Sequence, residues 1–282
     1  MTDKVVTKQD IVYGLEMADI TKGDILLIHS ALSAAGFVEG GADAVVDGFL
    51  SVVGEEGTVV MSTLTGWFAP FDPDKTPSAV GKISEAFRKH PGVRRSLHPV
   101  HSVAAWGKYA EYITSGHELC GTGCGENTPY EKIHALGGKA VLFGVDNDRD
   151  TIMHSLEEAI DAKYLRELDI PAPTYLTGEK TFTLKKFPPG HRDFLSVTPL
   201  LRRRGLLKES VVGSACVKVI DIKGMFALLM PILAEDPLLF ICKNENCNSC
   251  NWSRKLYSGE EIDLTSYEKN HCDDINCEIC VI

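Results

Sequence analysis

The sequence has no excess of positive charge. Its 29 Lys and Arg residues are outnumbered by 39 Asp and Glu residues, which gives a formal net charge of −10. Nucleic acids and anionic membrane surfaces attract basic proteins, so this balance argues against both as partners. A cationic small-molecule substrate is mildly favoured.

Long apolar runs are also missing. No stretch of roughly 18 apolar residues occurs, and the first residues, Met1-Thr-Asp-Lys-Val5, contain no apolar signal region. We therefore expect a cytoplasmic protein. In that compartment its nine cysteines serve as thiols or metal ligands rather than as disulfides.

Several common catalytic motifs are absent. The sequence contains no G-x-G-x-x-G, no G-x-x-x-x-G-K-[ST], no G-x-S-x-G and no H-E-x-x-H. A dinucleotide-binding fold, a P-loop NTPase, an α/β-hydrolase and a zincin are thus unsupported.

Short apolar runs alternate with helix-like segments up to about residue 240, which predicts a layered α/β domain over 1–240. Four runs resemble strands covered on both faces: 24–29, 58–62, 103–107 and 139–145. Helical spacing covers 81–90, 129–136 and 151–166. Four prolines flank a strand-like segment in 171–190, which predicts a β-hairpin.

One helix carries a candidate catalytic pair. A strand ends near Val145, and Asp148 or Asp150 is suited to cap a helix that starts around Thr151. His154 then lies near the helix N-terminus, at the strand edge where α/β folds build their sites.

The neighbours of His154 suit general-base chemistry. Glu157 at i+3 and Asp161 at i+7 share its helix face. A helix N-terminus keeps an imidazole neutral, and a carboxylate one turn away orients it. A surface histidine that merely pairs with Glu157 is the alternative, and spacing alone does not decide between them.

A second motif follows the first predicted strand. The small residues of His29-Ser-Ala-Leu-Ser-Ala-Ala-Gly36 suit a turn whose backbone N–H groups approach a phosphate or an amide-rich ligand arm. An ordinary tightly packed turn has the same composition.

Five blocks occur in a fixed order along the chain. They are Leu27-Ile-His-Ser-Ala-Leu-Ser-Ala-Ala-Gly36, Gly81-x-x-x-Glu85-x-Phe-Arg88-x-x-Pro91-Gly92-x-x-Arg95-Ser96-x-His98-Pro99, Thr128-Pro-Tyr-Glu-Lys132, Gly137-Gly-Lys-Ala-Val-Leu-Phe-Gly144 and Thr151-x-x-His154-x-x-Glu157. In this order they resemble the aminoglycoside 3-N-acetyltransferase family. The resemblance runs from about residue 10 to about 240.

The resemblance implies a three-layer α/β/α sandwich with a mixed, largely parallel sheet, and acetyl transfer from acetyl-CoA to an amine. It implies His154 as the catalytic base, Glu157 as its partner carboxylate and Thr151 as a lining residue of that site. It also implies that the pantetheine arm of CoA lies along Ser30, Ala31, Leu32 and Ser33.

Three acidic residues are candidates for binding further ammonium groups of a polycationic sugar: Asp72, Asp150 and Asp161. This assignment depends on charge and loop position alone. Solvated surface acids are the alternative.

The end of the chain, 241–282, departs from the family. Six of the nine cysteines lie here, as two triplets thirty positions apart: Cys242, Cys247 and Cys250, then Cys272, Cys277 and Cys280. Few apolar residues separate the triplets, so we predict a small Cys-rich tail ordered by structural zinc. An iron–sulfur cluster and free or oxidised thiols are alternatives.

The sequence therefore predicts an acetyl-CoA-dependent acyltransferase that acts on an aminoglycoside-like amine, as found in antibiotic resistance. A non-catalytic or regulatory protein that uses the tail as a metal-dependent interaction module is the alternative. The oligomeric state is not readable from the sequence.

Overall fold

The computed structural model describes residues 5–65, 71–170, 182–187 and 192–260. In this part of the chain nine strands form: β1 (Ile25–Ser30), β2 (Thr58–Ser62), β3 (Arg94–Arg95), β4 (Val103–Gly107), β5 (Lys139–Phe143), β6 (Arg166–Ile170), β7 (Phe182–Phe187), β8 (Leu207–Val212) and β9 (Ala215–Asp221).

The same residues form nine α-helices: α1 (Lys8–Met17), α2 (Gly41–Val53), α3 (Lys82–Lys89), α4 (Ala110–Thr114), α5 (Pro129–Leu136), α6 (Met153–Ala159), α7 (Thr198–Arg203), α8 (Ile222–Glu235) and α9 (Asn248–Ser258). Short 3₁₀ turns lie between several of them.

Seven strands form one mixed sheet in the order β3-β4-β2-β1-β5-β9-β8. Strand β1 is parallel to both β2 and β5, and the four remaining pairings are antiparallel. The mixed sheet is confirmed, but it is not largely parallel. One physical reason is the two-residue turn at Gly213 and Ser214, which joins β8 to β9 as an antiparallel hairpin.

Side chains of the central strands alternate between two apolar cores. On β1, Leu26 and Ile28 face the core shared with α1, α2 and α3. Ile25 and Leu27 face the core shared with α4, α5, α6, α7 and α8. This period of two on a fully buried strand produces the expected three-layer α/β/α sandwich.

Two of the predicted helices, α3 and α5, form as expected, but the third is much shorter. Helix α6 ends at Ala159, and Arg166 already begins strand β6. Asp161 has φ +50°, a left-handed conformation that does not continue a helix. The prediction that Asp161 shares a helix face with His154 is therefore wrong.

The predicted hairpin consists of β6 paired antiparallel with β7. Its first strand begins at Arg166, before the expected 171–190 segment, because the helix ended early. Residues 171–181 and 188–190, the rest of the predicted segment, lie outside the described residues.

The described part of the tail packs on this sandwich. Ile241, Cys250 and Leu256 are buried in one cluster with Tyr164 and Leu165. Apolar contact thus contributes more to this part of the tail than its composition predicted. Across the described ranges, every helix is too short or too polar to cross a membrane.

Candidate active site

The parallel arrangement of β1 and β5 brings two distant segments to one edge of the sheet. The turn at Ser30 follows β1, and the segment that leads to His154 follows β5. The two segments approach each other at Gly144, which has φ +69°. A Cβ added to this residue would lie 2.5 Å from Ala34 Cβ. Glycine therefore permits the close approach of the two segments.

The structure pairs His154 with Glu157 on α6. Nδ1 of His154 lies 2.6 Å from Oε2 of Glu157, and the histidine side chain is 20% exposed while the glutamate is fully buried. The carboxylate is thus held inside the protein, and the imidazole ring reaches solvent. The predicted histidine–carboxylate contact is present.

Two further side chains hold the other oxygen of Glu157. The Tyr164 hydroxyl donates to Oε1 over 2.8 Å, and Arg192 Nε also donates to Oε1. The guanidinium of Arg192, itself buried, stacks over the Tyr164 ring with 4.8 Å to the ring centroid. Glu157 is therefore a paired and hydrogen-bonded buried charge.

These partners determine the charge of Glu157. Burial alone would raise its pKa, but the charge of Arg192 and the hydrogen bonds from His154 and Tyr164 lower that pKa to about 2. The carboxylate is ionised at neutral pH and accepts hydrogen bonds only.

The tautomer of His154 follows from this charge. Because an ionised carboxylate has no proton to donate, Nδ1 of His154 must carry the proton in the 2.6 Å contact. Nε2 of the neutral ring then has a free lone pair. The arrangement can accept a proton at Nε2 and stabilise the imidazolium through Glu157.

The surroundings fix the ring of His154 without adding charge. Phe194 contacts it edge-on with 5.1 Å between centroids, and Asn147 Nδ2 donates to the Phe194 carbonyl over 3.0 Å. His101 lies nearby; its burial and the charge of His154 lower its pKa to about 4. His101 is therefore neutral at physiological pH and does not repel an imidazolium.

Thr151 lies between this pair and the rest of the sheet edge. Its carbonyl accepts from the His154 amide over 3.1 Å, and its side chain hydrogen-bonds to buried Tyr130. The predicted helix cap at Asp148 or Asp150 is wrong, because α6 begins at Met153 and its N-cap residue, Ile152, makes no side-chain cap bond.

The turn at 30–33 adjoins the end of β5. The amide of Ala31 donates to the Phe143 carbonyl over 2.9 Å, so this N–H is not free for a ligand, contrary to expectation. Ser30, Ala31 and Leu32 are partly exposed and Ser33 is exposed. A ligand can reach the turn, with one fewer donor than predicted.

The three candidate substrate carboxylates each pair with a different side chain. Asp72 pairs with Lys75 over 3.0 Å inside a turn, and the highly exposed Asp161 pairs with Lys186 over 2.9 Å. Asp150 is fully buried with its Oδ1 3.5 Å from Nε2 of His29. Direct contact between Asp150 and a substrate would require this carboxylate to be uncovered.

Three of the six cysteines predicted to bind a metal lie in the described part of the chain. Sγ atoms of Cys242, Cys247 and Cys250 lie within 4.8 Å of one another. Cys272, Cys277 and Cys280 lie outside the described residues.

Sequence reasoning missed Tyr164, Arg192, Phe194 and His101. Arg192 is 35 positions beyond Glu157 and enters through tertiary packing alone. The available signal was indirect: an acid on an otherwise apolar, buried helix face needs a cationic partner. Nothing in the local sequence identifies which arginine supplies it.

Known proteins resemble this chain along most of its length. The family model described as aminoglycoside 3-N-acetyltransferase matches residues 27–234. The SPbeta prophage-derived aminoglycoside N(3')-acetyltransferase-like protein YokD of Bacillus subtilis (strain 168) is 32% identical over 235 residues, which cover 74% of this chain and 85% of that protein.

Solved structures share the fold. The apoenzyme of aminoglycoside acetyltransferase AAC(3)-IVa aligns with a TM-score of 0.84 and 26% identity, covering 91% of this chain and 100% of that chain. A histidine-to-alanine mutant of AAC(3)-IVa in complex with a gentamicin gives a TM-score of 0.84 and 27% identity, with 90% and 99% covered.

The fold and these relatives identify an acyltransferase. The chain belongs to the aminoglycoside 3-N-acetyltransferase family, whose model spans well over half of the sequence. The regulatory alternative gains no support from these relatives.

Glu158, next to Glu157 in the sequence, provides a pH test of this environment. Burial raises its pKa to about 7, although hydrogen bonds from Thr122 and the Cys124 amide act to lower it. The pKa of Glu158 is higher in the folded protein than its unfolded value of 4.5. Protonated Glu158 therefore contributes its full stabilisation only below pH 4.5. That contribution is lost as the pH rises towards 7.

We therefore expect Glu158→Gln to gain stability relative to wild type between pH 4.5 and 7, by up to about 3 kcal/mol. Above pH 7 the difference should stay constant. Urea unfolding across this range measures it, with Glu111→Gln at an exposed position as the control. Parallel stability curves for Glu158→Gln and wild type would contradict the buried-acid assignment.

Proposed function

We propose that this protein transfers the acetyl group of acetyl-CoA to an amino group of an aminoglycoside, with His154 as general base oriented by Glu157. The observation that carries the proposal is the 2.6 Å contact between His154 Nδ1 and the buried, ionised Glu157. Family membership supports the acyl transfer, and the net charge of −10 suits a polycationic acceptor.

The reaction requires removal of a proton from the attacking amine. An alkylammonium is not nucleophilic, so the neutral amine attacks the thioester carbonyl and forms the new C–N bond. Nε2 of His154 takes the amine proton as that bond forms. The C–S bond then breaks, CoA leaves as a thiolate, and the proton on His154 is available to neutralise it.

Glu157 makes His154 a better base at the moment of transfer. The imidazolium formed by proton uptake lies against a carboxylate that is already ionised and held by Arg192 and Tyr164. The stabilising charge is preorganised, because buried Glu157 is held in place by its partners before the proton is transferred. Thr151, one turn before His154, lines the same site in this proposal.

The CoA arm lies against the 30–33 turn in this proposal. Its support is that the turn is accessible, carries small side chains and shares the sheet edge with α6. The pantetheine arm contains amides, which pair with backbone and hydroxyl groups of such a turn. The Ala31 amide is excluded from this role by its bond to Phe143.

Among the acidic candidates, Asp72 and Asp161 remain proposals for contact with further ammonium groups, since both carboxylates reach solvent. Each would exchange a lysine partner for the substrate. Exposed ion pairs of this kind are weak, so the exchange costs little.

Replacing His154 with Ala should reduce turnover by at least about 100-fold, the scale of losing a general base, with CoA affinity nearly unchanged. Glu157→Gln should reduce turnover less, because the base itself remains. Thiol release from acetyl-CoA with a panel of aminoglycosides and simpler amines measures turnover.

The matched control for this experiment is His90→Ala. His90 follows α3 and pairs with Asp47 of α2, and these two helices pack on the opposite face of the sheet from α6. Turnover of the His154 variant within threefold of the His90 variant would refute the mechanism.

A bulky side chain in the turn should obstruct the CoA arm. Ser33→Trp is expected to weaken CoA binding at least about tenfold, equivalent to roughly 1.4 kcal/mol. Calorimetric titration with CoA measures the change, and Ser51→Trp on the exposed face of α2 is the control. Equal CoA affinity in both variants would contradict the proposed position of the arm.

A further inference from the structure

The first cysteine triplet forms a compact cluster of sulfur atoms. Sγ atoms of Cys242, Cys247 and Cys250 lie within 4.8 Å of one another. Zinc binds thiolates at about 2.3 Å, so two thiolates on one tetrahedral ion are roughly 3.8 Å apart. The cluster is close to that spacing before any ion is added.

The backbone around the cluster is arranged as in a metal knuckle. Cys247 is the N-cap of α9 and Cys250 lies in its first turn, where the helix dipole favours negative charge. The Cys242 amide donates to Sγ of Cys250 over 3.3 Å. Hydrogen bonds of this type orient sulfur ligands around a metal.

A partly buried arginine closes the loop that carries the first ligand. Arg254 of α9 donates through Nη1 to the Cys242 carbonyl over 2.6 Å and through Nη2 to the Asn244 carbonyl over 3.0 Å. The loop that carries Cys242 is thereby tied to the helix that carries Cys250. The three sulfurs are held together by contacts that do not involve an ion.

Helix α9 also contacts the partners of the catalytic pair. Fully buried Ser253, three positions after Cys250, accepts a hydrogen bond from Arg192 Nη1 over 3.2 Å. Arg192 in turn donates to Glu157. A continuous chain of contacts leads from the sulfur cluster through Ser253, Arg192 and Glu157 to His154.

We propose that Cys242, Cys247 and Cys250 bind a soft divalent cation of the zinc type, and that this ion fixes α9 so that Ser253 and Arg192 position Glu157. The positioning part rests on the proposed acetyl transfer; the metal site does not. Each cysteine thiol releases its proton to solvent when it binds the ion as a thiolate, and no redox step is involved. Three protein ligands leave one tetrahedral position, which a water can fill.

The metal site is tested on the full-length protein purified without chelator. Elemental analysis should find about one zinc per chain in wild type and in Cys216→Ser, whose cysteine is exposed on β9, and little zinc in Cys247→Ser. Cobalt(II) titration of metal-stripped wild type should give thiolate charge-transfer absorption, which tests the site without a variant. No bound zinc together with no cobalt–thiolate absorption would overturn the site.

Positioning is tested with Ser253→Ala, which leaves all three ligands in place. Its zinc content should match wild type, its kcat should fall about tenfold with KM nearly unchanged, and the pH profile of kcat should shift. Metal-stripped wild type should show the same fall in kcat with KM nearly unchanged, and added zinc should restore its kcat. If Ser253→Ala and the metal-stripped protein both had the kcat and the pH profile of untreated wild type, the positioning role would be overturned. Absence of acetyl transfer by wild type itself would instead contradict the proposed function and leave the metal result standing.

Discussion

The structure of the site depends on one buried ion pair, between Glu157 and Arg192. Both side chains are almost completely buried. Removing either one would leave the other as an unpaired buried charge, which would strongly destabilise the folded protein. The pair keeps Glu157 ionised inside the protein, and an ionised Glu157 determines which nitrogen of His154 carries the proton. The position of the proton on the partly exposed imidazole is thus decided by a contact buried inside the protein.

That pair requires residues from distant parts of the chain. Glu157 is on α6, Tyr164 follows it, Arg192 comes after the hairpin, and Ser253 is on α9. The central parallel strands determine where α6 begins, because β1 and β5 end at the same edge of the sheet. The described part of the tail packs against Tyr164 and contributes to the same network.

The sequence predicted features that depend on local patterns. Continuous apolar runs located β2 and β4 to the residue, and the i, i+3 spacing identified His154 and Glu157. Prediction from the sequence failed where tertiary contacts or a single backbone conformation determine the structure. Asp161 in a left-handed conformation ends the helix early, and Arg192 finds Glu157 only through packing. The burial of both faces of β1 was readable from its continuous apolar run, but not the antiparallel direction of β9 beside β5.

The proposed reaction depends on Glu157 holding the proton on Nδ1 of His154, which leaves Nε2 free to act as the base. Nitrogen-15 NMR of the histidine side chains at alkaline pH, with His154 assigned by its absence in His154→Ala, measures the tautomer directly. We expect a protonated Nδ1 and an unprotonated Nε2. A His154 ring protonated on Nε2 would contradict it.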